Sequence, residues 1–297
     1  AHPKGVPFRF TWKLSQARAW ERQCLHRGLH TYLYSAEAHG GPACPITSRL
    51  LQAPRARQAY VILHEAWHST LRCGQILMPY ALEEATGRIV GMMGAVQFAR
   101  VHGDADLETA ALHQARDWHG FARWINRSYR QLDRLYRYAT VDHRTSPRPK
   151  RDDRTGQNHL PGPPHGGKQD RRTGRRRITE QKDHRSQRRR ATDQDHRSQR
   201  RRATELGSPA DPAIRDAWAA IHSDAERLRA RTRSLWEREE LTRTVNNAFL
   251  FRYYDYTRYY PLALRIYKHT GSLPRSMALY RRAGEEGAPR FLRHAAR

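Results

Sequence analysis

The chain has 297 residues and carries 55 Lys and Arg against 29 Asp and Glu, a formal net charge of +26. This length is enough for one substantial hydrophobic core. No stretch approaches the roughly 18 apolar residues of a membrane-spanning helix, and three cysteines without C-x-x-C spacing cannot form a closed disulfide set. The positive charge would attract any polyanion, so it does not by itself identify a nucleic-acid-binding protein.

The first informative segments lie in the N-terminal quarter of the chain. Residues 31–36, TYLYSA, give the best strand signal. Residues 60–72, YVILHEAWHSTLR, open with an apolar run and hold His64, Glu65 and His68 in the spacing H-E-x-x-H. Positions i and i+4 share one helix face, so both histidines can hold one zinc ion while Glu65 reaches the water that the metal activates. The alternative is a core helix with two partly exposed histidines and a surface glutamate.

The next predicted helix offers a third ligand, which catalytic zinc usually requires. Its sequence, ALEEATGRIVGMMGAVQFA, carries Glu83 and Glu84 in the first turn, beginning near Leu82. Adjacent residues project about 100° apart on a helix, so one of the two acids faces the metal. The alternative, that both acids only complement the helix macrodipole, stays open. Three glycines in this helix would let it pack closely on the H-E-x-x-H helix: Gly87, Gly91 and Gly94.

The amino-acid composition changes abruptly in the middle of the chain. Residues 107–139 predict an amphipathic helix that is interrupted near Gly120. Residues 143–206 hold 20 Lys and Arg against 8 Asp and Glu, a net charge of +12, and repeat DHRSQRRRAT at 183–192 and 195–204. Such a stretch cannot bury enough apolar surface to offset its conformational entropy, so we expect a disordered basic insertion. Subtracting +12 from +26 leaves +14 for the flanking parts.

The C-terminal part is predicted to return to helix. A long amphipathic helix is expected over residues 212–238, with Asp211 as its N-cap and Pro212 at its first position. Two shorter helices are expected over residues 259–269 and 276–282, separated by TGSLP.

These elements predict a mainly α protein. We expect a single helical, zinc-metallopeptidase-like domain interrupted by the insertion. Residues 1–142 would form its N-terminal part with both site helices, residues 143–206 the disordered Arg-rich repetitive insertion, and residues 207–297 its C-terminal helical part.

The motifs resemble those of the bacterial putative aminopeptidases, zinc peptidases that combine H-E-x-x-H with a downstream N-E-S-x-A-x-x-V-G segment. That segment here runs from Glu83 to Gly91, so the family's asparagine and glutamate fall on Glu83 and Glu84. PITSRLL and NNAFLFRYYDYTRYYP, at residues 45–51 and 246–261, are also similar to family motifs. The likeness covers roughly residues 28–142 and 208–295.

The resemblance implies roles for individual residues. His64, His68 and Glu84 would hold zinc, and Glu65 would act as the general base. Glu83 departs from the family's asparagine, adds negative charge beside the metal, and could capture the α-amino group of a substrate.

Three further residues follow from the resemblance at residues 246–261. Tyr256 falls on the family's tyrosine, and its hydroxyl could stabilise the developing oxyanion, although ordinary helical packing is the alternative. Asn246 and Asn247 are expected to hydrogen-bond groups that hold the metal ligands, or to cap a helix, rather than to take part in catalysis.

The predicted function is zinc-dependent hydrolysis of a peptide bond, of aminopeptidase type by resemblance. One alternative is a catalytically inactive relative that binds nucleic acid or another polyanion through its Arg-rich insertion. A second is a metal-site protein that hydrolyses something other than a peptide. The expected partners are a peptide substrate and non-specific polyanions. The resemblance implies a periplasmic or envelope location, but no export signal is visible in this chain.

Deletion of residues 143–206 tests the predicted insertion. Fold, metal content and any hydrolysis should be retained, because no core residue is lost and a shorter loop costs less closure entropy. Heparin affinity should fall and depend less on salt, because 20 cationic side chains are removed. Circular dichroism, metal analysis and heparin binding measure the three effects. Unfolding of the deletion variant would instead identify the segment as structural.

Overall fold

A computed structural model describes residues 9–38, 46–145 and 211–285, and these ranges contain helices and connecting segments but no strand. The helices within them are α1 Leu14–His26, α2 Ser48–Leu51, α3 Arg55–Cys73, α4 Tyr80–Val101, α5 Ala105–Thr145, α6 Pro212–Arg231, α7 Leu235–Glu240, α8 Asn247–Thr257, α9 Tyr260–Thr270 and α10 Leu273–Glu285. The predicted mainly α fold is confirmed. None of the described helices is long and apolar enough to cross a membrane.

Helix α4 lies at the centre of the bundle, where it contacts α3, α8, α9 and α10. Apolar residues occur on every side of it, which is typical of a helix buried all round. Three polar side chains are buried along its length as well: Glu84, Thr86 and Arg88. A buried polar group needs a partner or a function.

Helices α3 and α4 approach each other closely because α4 carries glycines where the two helices meet. A Cβ atom at Gly91 would lie 2.7 Å from the carbonyl oxygen of Tyr60, and one at Gly87 would lie 3.0 Å from the ring of His64. The predicted role of these glycines is therefore confirmed. The indole of Trp67 adds a buried hydrogen bond across the interface, donating to Thr86 Oγ1 at 3.0 Å.

The second half of the core forms between α5 and α8. Phe121 of α5 packs edge to face on Phe249 and Tyr253 of α8, with ring centroids 6.3 and 5.0 Å apart. Near the end of α8, the amide of Asn126 donates to the backbone oxygen of Thr257 at 2.7 Å. These contacts fix α8 against the bundle.

The strand predicted over residues 31–36 is wrong. This segment is irregular, and the nearest extended pairing is an isolated antiparallel bridge between Ala38 and Ile46. Within the described ranges no strand lies beside it to pair with. Its residues contact distant polar groups instead: the hydroxyl of Tyr32 donates to the buried Glu240, and the backbone oxygen of Thr31 accepts from Asn246 Nδ2.

Two helix predictions need correction. Helix α5 continues through Gly120 without interruption, because one glycine inside a helix costs only about 1 kcal/mol. The helix expected over residues 212–238 is two helices, α6 and α7. At the break, Asp117 Oδ2 accepts hydrogen bonds from the backbone N–H groups of Arg233 and Ser234, at 2.8 and 2.6 Å. In a continuous helix these two N–H groups would donate to backbone oxygens one turn earlier, and here the carboxylate of Asp117 accepts from them instead.

Other helix boundaries agree with expectation. Asp211 caps α6 by accepting a hydrogen bond from the N–H of Ala213 at 2.8 Å, with Pro212 at the first position. Helices α9 and α10 begin within three residues of the predicted starts. Helix α1 was not predicted. It has no buried residue, so its sequence lacks the apolar face by which a core-packed helix is recognised.

Contacts along the chain divide it into one unit of Ala1–Leu135 with Pro209–Arg297 and another of Tyr136–Ser208. The first unit contains all the packing described above. In the second, the structure describes only the last turns of α5, up to Thr145. The remainder of the predicted disordered insertion, 143–206, lies outside the described residues. The predicted three-part division of the chain therefore stays a prediction.

Substitution of Gly91 by alanine tests the close helix approach. The new Cβ would meet a backbone oxygen at 2.7 Å, which cannot move without shifting α3. We expect the free energy of unfolding to fall by about 1–3 kcal/mol. Urea denaturation followed by circular dichroism measures the change. Gly120→Ala is the control, since its Cβ meets only the flexible Leu228 Cδ1 at 3.3 Å. Equal stability of both variants would contradict the packing argument.

Candidate metal centre

His64 and His68 lie one turn apart on the face of α3 that meets α4. Both side chains are buried. Their rings meet edge to face with centroids 4.6 Å apart, and their Nε2 atoms are 3.1 Å apart. Two imidazole nitrogens thus point at one small volume.

Glu84 of α4 completes this cluster. Its Oε2 lies 3.3 Å from His64 Nε2 and 3.8 Å from His68 Nε2, in a buried position without a well-aligned hydrogen bond. One ligand atom from each of the three side chains lies within 4.8 Å of the others. The cluster could therefore hold a metal ion. Of the two acids predicted as alternatives, Glu84 is the one in this cluster.

The electrostatic environment keeps Glu84 ionised. Burial by itself would raise its pKa, but the imidazoles of His64 and His68 and the guanidinium of Arg88 outweigh burial and lower the pKa to about 2. Burial lowers the pKa of His64, which favours its neutral form. An ionised carboxylate beside a neutral imidazole is a donor set that binds divalent transition metals.

Glu83 contacts the opposite side of the His68 ring. Its Oε1 lies 2.7 Å from His68 Nδ1. Because an ionised carboxylate can only accept, His68 donates through Nδ1, and its Nε2 faces the cluster. Burial lowers the pKa of His68, but the carboxylates of Glu83, Glu84 and Glu65 outweigh burial and raise it. The sequence predicted Glu83 as a substrate-binding group, and the structure gives its carboxylate a contact with His68.

Glu65 and Tyr256 lie on different helices beside the cluster. Glu65 follows His64 on α3, is half-buried, and is close enough to His68 for its charge to raise that pKa. Tyr256 of α8 accepts a hydrogen bond from the hydroxyl of Tyr80, the first residue of α4, at 2.9 Å. Its ring also lies 5.2 Å from the guanidinium of Arg88. Tyr80, Glu84 and Arg88 recur at i, i+4 and i+8, so Tyr256 extends along the helix face that carries Glu84.

Asn246 has a capping role. Its side-chain oxygen accepts a hydrogen bond from the N–H of Phe249 at 3.0 Å, and its Nδ2 donates to the oxygen of Thr31 at 2.9 Å. Asn247 is the first residue of α8 and is half-buried. The structure thus matches the capping alternative for Asn246.

Sequence reasoning missed Tyr80 and Arg88 as members of the site. Tyr80 lies one turn before Glu84, and Arg88 one turn after it. The i, i+4, i+8 spacing from the predicted ligand was the available signal. An arginine inside an otherwise apolar helix was a second signal, because arginine is almost never fully buried without a partner.

Together the fold and the cluster define a helical protein with a buried site of two histidines and one glutamate that could hold a metal ion. Residues 5–159, just over half of the chain, match the family described as "Putative aminopeptidase", and the chain belongs to that family. No curated protein and no solved structure gives a significant match. The family match includes α3 and α4 but ends before residues 246–261, whose resemblance stays a prediction.

Substitutions of the two neighbouring acids distinguish ligand from orienting group. Glu84→Gln should abolish stoichiometric binding of a divalent metal, because it removes the anionic ligand. Glu83→Gln should weaken binding about 10- to 100-fold, the range found when a ligand loses its outer hydrogen-bond partner. Titration of purified protein with Zn²⁺ and a chelating indicator measures both. The reverse order of losses would mean that Glu83 is the ligand.

Proposed function

We propose that the protein is a zinc-dependent peptidase of aminopeptidase type, with His64, His68 and Glu84 as the metal ligands. The observation that carries the proposal is the convergence of their ligand atoms within 4.8 Å at a buried position. Two imidazoles and a carboxylate are a ligand set of zinc peptidases, in which the fourth position stays open. Zinc bound there would polarise a substrate carbonyl and lower the pKa of water towards about 7.

Glu65 is proposed as the general base. It is adjacent in sequence to His64 and, unlike the buried ligands, is partly exposed to solvent. A carboxylate in this place can take a proton from the attacking water and pass it to the leaving amine. The H-E-x-x-H spacing supports this role because it places Glu65 beside His64 and within one turn of His68 on α3.

Tyr256 is proposed as the donor to the developing oxyanion. Tyr80 donates to its oxygen, so the O–H of Tyr256 itself remains available to a substrate. Burial is the main cause that raises the pKa of Tyr80 and of Tyr256 well above the usual value of a phenol. Both hydroxyls therefore keep their protons at neutral pH. A preorganised donor in this place stabilises negative charge without reorientation.

The family description supports cleavage at the N-terminus of a peptide, which is the activity of an aminopeptidase. An aminopeptidase needs an anionic group for the substrate's α-ammonium, and Glu83 is proposed for this task. Oε1 of Glu83 contacts His68, and a carboxylate with two oxygens can accept from an ammonium group as well. The carboxylate would then orient a ligand and bind substrate at once.

The decisive experiment is the Glu65→Gln variant. The amide fills the same space but cannot accept a proton, so zinc content should be unchanged while hydrolysis falls by about 100-fold or more. The measurements are metal analysis of purified protein and mass spectrometry of a mixed peptide library.

Two controls frame that result. Glu226→Gln changes a glutamate that is 63% exposed and should leave both properties intact. His64→Ala and His68→Ala should each lose zinc and hydrolysis together. Full zinc retention by both histidine variants would contradict the metal site, and full activity of Glu65→Gln would contradict the assigned base.

Tyr256→Phe tests the oxyanion donor. We expect kcat to fall about 10²- to 10³-fold at unchanged zinc content, because one preorganised donor is removed. Tyr80→Phe should have a smaller effect, since it acts only through Tyr256. Tyr254→Phe is the matched control, as its ring stacks on Tyr129 with centroids 3.7 Å apart, which does not require the hydroxyl. Equal rates for wild type and Tyr256→Phe would remove Tyr256 from the mechanism.

A further inference from the structure

Helix α1 contributes no buried residue to the core, although it carries several large apolar side chains. Its half-buried positions include Ala17, Trp20 and Cys24, whose i, i+3 and i+7 spacing places them on one side of the helix. Leu14 and Leu25 lie on another side and are 59% and 55% exposed. One side of α1 is therefore partly covered, and another presents leucine to solvent.

The exposed leucines are interleaved with arginines. Arg18 and Arg22 follow Leu14 at i+4 and i+8, and Leu25 follows Arg18 at i+7, so the four side chains form one stripe along α1. All four residues are exposed. Residues 9–27 hold five Lys and Arg against one Glu, a net charge of +4. The stripe is thus apolar and positively charged at once.

An exposed tryptophan precedes the stripe and is held at the start of α1. Trp12 is 76% exposed, and its ring meets that of Phe10 edge to face with centroids 4.9 Å apart. Between them, the hydroxyl of Thr11 donates to Gln16 Oε1 in the first turn of α1 at 2.6 Å and accepts from the N–H of Lys13 at 3.1 Å. These two bonds tie the aromatic segment to the helix. Trp12, Leu14, Leu25, Arg18 and Arg22 are called the α1 surface below.

The composition of the α1 surface selects its partner. At the boundary of a phospholipid bilayer, leucine and tryptophan bury their apolar bodies while arginine extends its charge to the phosphates. A negatively charged bilayer gains further attraction from each cation close to it. Nucleic acid would contact the arginines and stack on Trp12, but it would leave Leu14 and Leu25 in water. A second copy on a twofold axis would place like charges against each other.

We propose that the α1 surface docks the protein onto anionic phospholipid bilayers, with α1 lying along the membrane plane. A bilayer has no fixed shape to match, so a stripe of leucine, tryptophan and arginine is sufficient for binding. The net charge of +14 outside residues 143–206 favours approach to such a surface. The proposal is independent of the proposed peptidase function.

The first test measures partitioning of the full-length protein onto vesicles of equimolar phosphatidylglycerol and phosphatidylcholine. Leu14→Gln/Leu25→Gln should lower the partition coefficient about 10- to 100-fold, because two apolar side chains no longer enter the bilayer boundary. Leu77→Gln is the matched control, since Leu77 is 87% exposed and lies outside α1. Raised salt is used, because it weakens the attraction of the 20 cationic side chains of residues 143–206 more than apolar insertion.

The charges of the α1 surface are tested at low salt. Arg18→Gln/Arg22→Gln should lower the partition coefficient on these vesicles roughly 10- to 30-fold, and have little effect on pure phosphatidylcholine vesicles. Arg265→Gln/Arg281→Gln removes two exposed charges from other helices and should have a smaller effect. An equal loss in both double variants would show that only total charge matters, which overturns the proposed surface.

The second test measures which part of the protein meets the lipid. Vesicles of the same composition with brominated acyl chains quench tryptophans that reach the bilayer boundary. Wild-type fluorescence should be quenched, and Trp12→Phe should lose that quenching while it still binds, because phenylalanine keeps an apolar ring. Trp218→Phe, which changes a half-buried tryptophan of α6, should be quenched like wild type. This result holds even where residues 143–206 also attract the vesicles.

The remaining outcomes identify other partners. Quenching that Trp12→Phe does not change, or equal partitioning of wild type and Leu14→Gln/Leu25→Gln at raised salt, overturns the proposal. So does a loss of oligonucleotide binding in the leucine variant that matches its loss on vesicles, since the surface would then bind nucleic acid. A wild-type dimer in gel filtration that the leucine variant converts to a monomer would assign the surface to a second copy and overturn it as well.

Discussion

The close contact between α3 and α4 is the constraint on which the candidate site depends. His64 and His68 come from α3 and Glu84 from α4, so their ligand atoms can converge only if the two helix axes approach closely. Gly87 permits this approach where the ring of His64 lies, because a Cβ there would be 3.0 Å from the imidazole. Gly87 therefore has two effects: it lets α3 and α4 pack closely, and it leaves the space in which the ring of His64 lies.

This packing brings together charges that a helical core would otherwise exclude. Glu84 is ionised at a buried position, and burying an uncompensated carboxylate costs several kcal/mol. Arg88 supplies positive charge from the next turn of α4 while its guanidinium stacks on Trp118 at 3.9 Å. Glu83 adds a second carboxylate on the outer side of His68. A divalent cation held by His64, His68 and Glu84 would add positive charge beside the carboxylate of Glu84, so metal binding and stability should be coupled in this protein.

Much of this could be predicted from the sequence, and the exceptions have physical causes. The H-E-x-x-H helix, the glycines and the acid-bearing helix follow from spacing, because helical geometry relates nearby residues directly. Spacing alone left both Glu83 and Glu84 open, because the choice depends on the rotation of α4, which packing fixes; the family resemblance pointed to Glu84, and Glu84 is the member of the cluster. The strand predicted at residues 31–36 failed because the aromatic residues there contact distant polar groups, including Glu240. Long-range partners of this kind leave no local pattern.

Helix α8, which carries Tyr256, is held in position by hydrogen bonds at both of its ends. Asn246 caps its start and bonds to Thr31, and Thr257 at its end is held by Asn126 of α5. Between them the buried hydroxyl of Tyr253 donates to Glu240 at 2.6 Å on one side of the helix.

With both ends and one side fixed, the rotation of α8 is determined. Arg252 and Tyr256, one turn apart, then share the side of α8 on which Tyr256 contacts Tyr80 and Arg88 of α4. The placement of these two side chains is thus set by hydrogen bonds that lie away from the cluster. For that reason, a substitution at Glu240 or Asn126 should disturb the geometry of the site without touching any residue in it.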